Sequence, residues 1–191
     1  MVSQLPRTDH RTDHRISPSA KQRFPHLVEG LIQVFTGPRR RFFANVMAQA
    51  LQQAGQGTSV LIVQFLKGGI NQGPDNPTQL AQNLIWLRCN VARCITTAEL
   101  EPDEISALQE LWHYTKMLVK QGKYSLVILD ELSVAIELGL IPLDEVLHLL
   151  NDRPSHVDVT LCGPHMPTVI MDMADQVTEL RQSPRLAEMI S

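Results

Sequence analysis

The chain has no apolar stretch of the roughly 18 residues that a membrane-crossing helix needs. Its longest candidate is broken by Asp130, Glu131 and Glu137, so no membrane partner is expected. The first residues lack the apolar core of a secretory leader. Cysteine is scarce: Cys89, Cys94 and Cys162 are an odd number, which predicts reduced thiols and a cytoplasmic location rather than a disulfide framework. Cys89 and Cys94 form a single C-x4-C pair with no second pair, so a zinc site is not expected. An excess of positive charge is also missing. The net charge is −3, and no nucleic-acid partner is expected.

What is present suits an ordinary globular core: 191 residues, of which 43% are hydrophobic, predict one domain. Charge is unevenly spread. Residues 1–28 hold five Arg/Lys against two Asp, and the rest holds twelve against eighteen Asp/Glu. This first segment contains the tandem R-T-D-H-R-T-D-H-R from Arg7 to Arg15, three prolines and little to anchor a helix. It reads as a disordered basic and polar arm. His10 and His14 would share a helix face as a metal pair only if the arm were helical. The domain proper is expected over 29–182, with a polar tail over 183–191.

Apolar runs predict strands over 31–36, 59–65, 124–129, 157–162 and 176–180, with a further short strand within 87–95. Helices are expected from Arg40 or Arg41 to Ala54, with Phe42, Val46, Ala50 and Leu51 along one side. Others are expected over 76–84, from an Asn76-Pro77 start, and from Glu101-Pro102 to Gly122. The last of these carries Asp103 and Glu104 in its first turn and lysines near its end, in the order that complements the helix dipole. Its buried stripe is Ile105, Leu108, Leu111, Trp112 and Leu118. Shorter helices follow over 132–138, 143–150 and 167–173. This alternation predicts an α/β fold, a mostly parallel sheet with helices on both faces.

Two stretches carry chemistry. The first is LIQVFTGPRRRFF, residues 31–43: a strand, a tight Gly-Pro turn and a helix start. A strand–loop–helix of this kind is the nucleotide cradle of P-loop proteins. There, glycines let backbone N–H groups close on phosphates, a Lys reaches the outer oxygens, and a Ser or Thr holds Mg²⁺. After Thr36 and Gly37 this chain has Pro38, Arg39, Arg40, Arg41, Phe42 and Phe43 instead. Three arginines beside a helix start suit an anion; equally, they are solvated charge at a turn. The second stretch is YSLVILDE, an apolar strand ending in Asp130 and Glu131, the Walker B pattern in which the acids bind or position Mg²⁺. His165, in the loop after the fifth expected strand, sits where open α/β sheets bind ligands, though a surface loop histidine is the commoner case.

Taken together the chain resembles the P-loop-type ATP:corrinoid adenosyltransferases. The resemblance runs from about Leu31 to Arg181. It rests on V-F-T-G (Val34 to Gly37), Q-F-L-K-G (Gln64 to Gly68), and L-D-E-L-S-V-A (Leu129 to Ala135, with Ser133). G-L-I-P-L-D-E-V-L, N-D-R-P, L-C-G-P-H-M-P and A-D-Q-V-T-E-L follow in that order, between Gly139 and Leu180. It implies a three-layer P-loop fold, with Asp130 and Glu131 as metal-side acids and Gln64, Lys67 and Gly68 as loop residues beside the site. It implies ATP, Mg²⁺ or Mn²⁺ and a reduced corrinoid as reactants in cobalamin biosynthesis or salvage. In that chemistry cobalt attacks the ribose 5′ carbon and triphosphate leaves. Since family members are often homodimers, it allows a homodimer.

The departures are as specific as the matches. The family loop reads T-G-N-G-K-G-K-[ST], of which only Thr36 and Gly37 remain. The family's G-x-G-F-x-W stretch has no counterpart between Asn90 and Leu100, and the Arg of its G-R-x-A-P is replaced by Pro164. Two expectations follow. One is an adenosyltransferase whose diverged nucleotide site relies on Arg39, Arg40 and Arg41. The other is a catalytically inactive homologue that serves as a binding or regulatory protein.

Overall fold

Val60–Gln64 (β2) and Leu126–Asp130 (β5) are buried at every position, as strands covered on both faces must be. They pair with each other at the middle of a seven-stranded sheet. The structure, a computed structural model, describes residues 29–40, 43–69 and 71–180. The arm expected over 1–28 and the tail expected over 183–191 lie outside the described residues.

The sheet order is β3-β4-β2-β5-β6-β1-β7, where β1 is Ile32–Thr36, β3 Thr78–Gln79, β4 Leu84–Arg88, β6 Asp158–Cys162 and β7 Gln176–Glu179. Every pairing is parallel except β3 with β4. Alternation sorts the strand side chains between two apolar clusters. Leu61, Val63, Val127, Leu129, Val159 and Leu161 point to the larger cluster, with α2 (Pro102–Gln121), α3 (Leu132–Glu137), α4 (Leu143–Asp152) and α5 (Thr168–Met173). Val60, Ile62, Leu126, Ile128 and Cys162 point to the smaller one, under α1 (Ala44–Gly55). The result is the expected three-layer α/β architecture.

α2 begins as its sequence dictates. Glu101 and Glu104 cap each other's backbone N–H groups in a capping box, Pro102 takes the first turn, and Gly122 ends the helix in the left-handed conformation at φ 62°. Three expectations fail. Residues 76–84 are not a helix. Thr78 and Gln79 pair antiparallel with Trp86 and Ile85, because a neighbouring strand offers the backbone partners that an isolated Asn-Pro start cannot. The strand looked for within 87–95 therefore begins at Leu84, and residues 89–95 are loop. α1 starts at Ala44, not Arg40 or Arg41, with Phe43 as its N-cap. At the margins of the helix stripes, Leu51 and Ile105 are 48% and 41% exposed, so neither is core.

Candidate functional site

The strand order sets the geometry. β6 alone separates β1 from β5, so their carboxyl ends lie about 10 Å apart at ordinary strand spacing. The loop after β1 and the acids at the end of β5 can therefore meet across one strand if a long side chain spans the gap.

Arg40 spans it. Its Nε donates to Glu131 Oε1 at 2.6 Å and its second terminal nitrogen to Oε2 at 2.9 Å, a two-pronged grip on one carboxylate. Its remaining terminal nitrogen donates to the Ile95 carbonyl at 2.8 Å. The Glu131 side chain is only 4% exposed and that of Arg40 29%. The hydrogen bond to Glu131 raises the Arg40 pKa further above its usual value, against the cost of burial. Glu131 can face back towards the loop because its backbone is left-handed at φ 62°, where it caps α3. For a residue with a side chain that conformation costs on the order of 1 kcal/mol.

Asp130 has a different set of partners. Its Oδ2 accepts from Gln64 Nε2 at 2.7 Å and Lys67 Nζ at 3.0 Å. Gln64 is oriented in turn by its own carbonyl oxygen, which accepts from Trp86 Nε1 at 3.0 Å and Arg88 Nε at 2.8 Å. With that oxygen occupied, the amide nitrogen has to face Asp130. Asp130 Oδ1 is sealed from solvent and finds no hydrogen-bond donor among the described residues. Burial pushes the Asp130 carboxyl pKa up, against the pull of Lys67 and Gln64.

A carboxyl harder to ionise in the folded chain than in the unfolded one makes the folded state bind more protons. Its contribution to stability is greatest below the ordinary aspartate pKa and declines as pH rises through the raised one. Asp130→Asn is expected to remove this decline. Urea unfolding at about pH 3 and pH 7, on either side of the usual carboxylate range, should show the variant gaining more stability, or losing less, with rising pH than wild type, because the lowered carboxyls of Glu104 and Glu145 work in the opposite sense to Asp130. An unchanged difference would contradict the assignment.

The remaining candidates gather around the turn after β6. Ser133 Oγ donates to the Pro164 carbonyl at 2.6 Å, and a side chain at Gly163, φ 152°, would run into that hydroxyl. Thr36 Oγ1 accepts from the Met166 N–H at 3.4 Å. The His165 N–H donates to the Gly37 carbonyl at 3.3 Å, while His165 itself is exposed with φ 47°. Thr36, Gly37, Pro38 and His165 border a cleft of about 350 Å³ that Met166, Met171, Val177 and Glu179 complete. Another groove, of about 310 Å³ between α2 and α4, lies away from these strand ends.

Arg40, Gln64, Lys67, Asp130 and Glu131 thus share one network. Thr36, Gly37, Ser133 and His165 belong to the neighbouring turn. Gly68 packs against the backbone of Val91 and Arg93, Arg39 is exposed, and Arg41 lies outside the described residues. Sequence reasoning missed Trp86 and Arg88, which become partners only once β4 lies beside β2, and the Ile95 carbonyl, a backbone group without a sequence signature. Cys89 is buried, its thiol pushed up to about 12 by desolvation, whereas Cys94 is exposed.

A divalent ion of the Mg²⁺ kind asks for about six oxygens in near-octahedral array. Both oxygens of Glu131 are held by Arg40, and one oxygen of Asp130 is held by Gln64 and Lys67. Phe43, 1% exposed, precedes the helix where a metal-binding hydroxyl would be needed. In this arrangement the residues do not fit such an ion.

Comparison with known proteins gives a consistent picture. Residues 28–187 match the family model described as ATP:corrinoid adenosyltransferase BtuR/CobO/CobP. A corrinoid adenosyltransferase of Escherichia coli K12 is 27% identical over 175 residues, covering 92% of this chain and 85% of the relative. Corrinoid adenosyltransferase CobA of Salmonella typhimurium LT2 is 30% identical over 179 residues, covering 90% and 83%. A corrinoid adenosyltransferase of Pseudomonas aeruginosa is 26% identical over 161 residues, covering 79% and 74%.

Proposed function

Because this chain belongs to the ATP:corrinoid adenosyltransferase family, we propose that it is a member whose triphosphate site is closed by its own residues. It binds ATP weakly or not at all, and adenosyl transfer to a reduced corrinoid is slow or lost. The observation that carries this reading is the direction of Arg40. Within the loop where a phosphate would be held, Arg40 gives its hydrogen bonds to Glu131 and Ile95.

In the family's chemistry the corrinoid cobalt supplies the nucleophile. The protein's part is to hold the ribose 5′ carbon in line and to stabilise the charge leaving on the triphosphate. Here the loop has no lysine to follow that charge, and Arg40 is already paired with Glu131. Each charge-assisted hydrogen bond forgone is worth about 1.5–3 kcal/mol. Two or three of them weaken binding by two orders of magnitude or more, at about 1.4 kcal/mol per tenfold.

Titration calorimetry with ATP and Mg²⁺ tests the reading. It is expected to give no resolvable heat below about 1 mM ligand, the range of very weak binding. A dissociation constant in the low micromolar range would sink it. The same closed pair favours a second reading, a catalytically inactive homologue acting as a binding or regulatory protein. Incubation with reduced cobalamin and ATP separates the two. Slow adenosylcobalamin formation above background supports a weakened enzyme, and none supports the inactive homologue.

A further inference from the structure

Two carboxylates at the end of a buried strand carry charge that must be balanced. An uncompensated carboxylate in a low-dielectric site costs several kcal/mol. One way to balance such a pair is a divalent ion. The other is a resident cation for each acid, and that is the arrangement here. Glu131, 4% exposed, is held at both oxygens by Arg40. Asp130, fully buried, is held at one oxygen by Lys67 and by an amide whose orientation is fixed from behind by Trp86 and Arg88. The oxygen left bare on Asp130 is a single ligand.

We propose that Arg40 and Lys67 stand permanently in place of a divalent ion. The Asp130–Glu131 pair then takes neither Mg²⁺ nor Mn²⁺, and any anion that the loop of Gly37 to Arg40 accepts is taken without one. The inference rests on the closed-site reading above and extends it from nucleotide to metal. Its internal logic is a competition. A guanidinium and a divalent cation cannot both own the Glu131 oxygens, so removing the guanidinium should create the metal site.

The test uses Mn²⁺ alone on the full chain, followed by the loss of the free-ion signal in electron paramagnetic resonance. Wild type is expected to leave the signal undiminished up to about 1 mM, a concentration at which real sites for such ions are normally filled. Arg40→Gln is expected to remove one equivalent of Mn²⁺ with an affinity at least about tenfold higher than wild type. Adding Glu131→Gln should abolish that gain. Arg40→Lys keeps the charge but cannot grip both oxygens, and is the second variant should Arg40→Gln not fold; it too should bind Mn²⁺ better than wild type.

One equivalent of Mn²⁺ bound by wild type below about 100 µM overturns the proposal. So does a folded Arg40 variant that binds no better than wild type. The ATP titration, repeated with EDTA in place of Mg²⁺, keeps the two readings apart. Tight ATP binding equal in both buffers sinks the closed-site reading and leaves the metal inference standing. Tight binding that requires Mg²⁺ sinks both.

Discussion

Arg40→Ala is expected to lower the free energy of unfolding by about 2–3 kcal/mol. The substitution leaves Glu131, whose side chain is 4% exposed, without its counter-ion. Breaking one side of a fully buried pair typically costs about 3–5 kcal/mol. Arg40 is 29% exposed, so water can follow into the space it vacates and part of that cost is relieved. Freeing the long side chain from its single geometry recovers a further ~1–2 kcal/mol at most. The desolvated carboxylate still dominates. For a domain of this size the loss lowers Tm by about 5–10 °C.

Glu131→Ala should cost less, because Arg40 can turn its charge outward whereas Glu131 cannot. The two single variants and the double variant form a cycle whose coupling should exceed about 1 kcal/mol. If Arg40→Ala lowers the free energy of unfolding by less than about 0.5 kcal/mol, the pair behaves as an ordinary surface contact. The closed-site reading would then lose its support.

Gly68→Ala is the second large effect, expected at about 3–4 kcal/mol. The added methyl would collide with the carbonyl oxygens of Val91 and Arg93. Backbone atoms cannot swing aside as a flexible side chain can, so the segment carrying residues 91–95 has to move. That segment also presents the Ile95 carbonyl to Arg40 and is tied to the site by two further bonds. The Gly69 N–H donates to Val91 O at 2.7 Å, and the Ile95 N–H donates to Leu66 O at 2.8 Å. A substitution that removes no charge therefore disturbs the Arg40–Glu131 pair through a loop. Gly55→Ala is the control. Nothing lies within 4 Å of its added methyl and it ends a helix, so it should be neutral or stabilising by up to about 1 kcal/mol. Equal effects at Gly55 and Gly68 would refute the collision argument, and urea unfolding of the two variants decides it.

The core strands could be read from the sequence because each is a short apolar run bounded by turn residues, as in SVLIVQF and YSLVILDE. α2 could be read because its start and stop chemistry is local. Residues 76–84 misled because Asn76-Pro77 is also local, while the strand that captures Thr78 and Gln79 comes from five or more residues further along and is itself ordered by β2. The acids of the site and their neighbours Gln64 and Lys67 were legible through the family resemblance. The inward turn of Arg40 was not. It depends on β6 being the only strand between β1 and β5, a fact about sheet order that no residue near position 40 encodes.

The smaller cluster beneath α1 adds a last consequence. Among the described residues one twelve-residue helix shields that side of the sheet, against four helices on the other. Its N-cap is Phe43, with no side-chain hydrogen bond and no acid in the first turn. A void of about 80 Å³ lies between the helix and the strand faces that carry Phe35, Ile128 and Thr160. The thinly covered side is therefore the part of the molecule expected to lift ahead of global unfolding, and loosening the Arg40 grip on Glu131, four positions before the helix begins, should make it lift more readily.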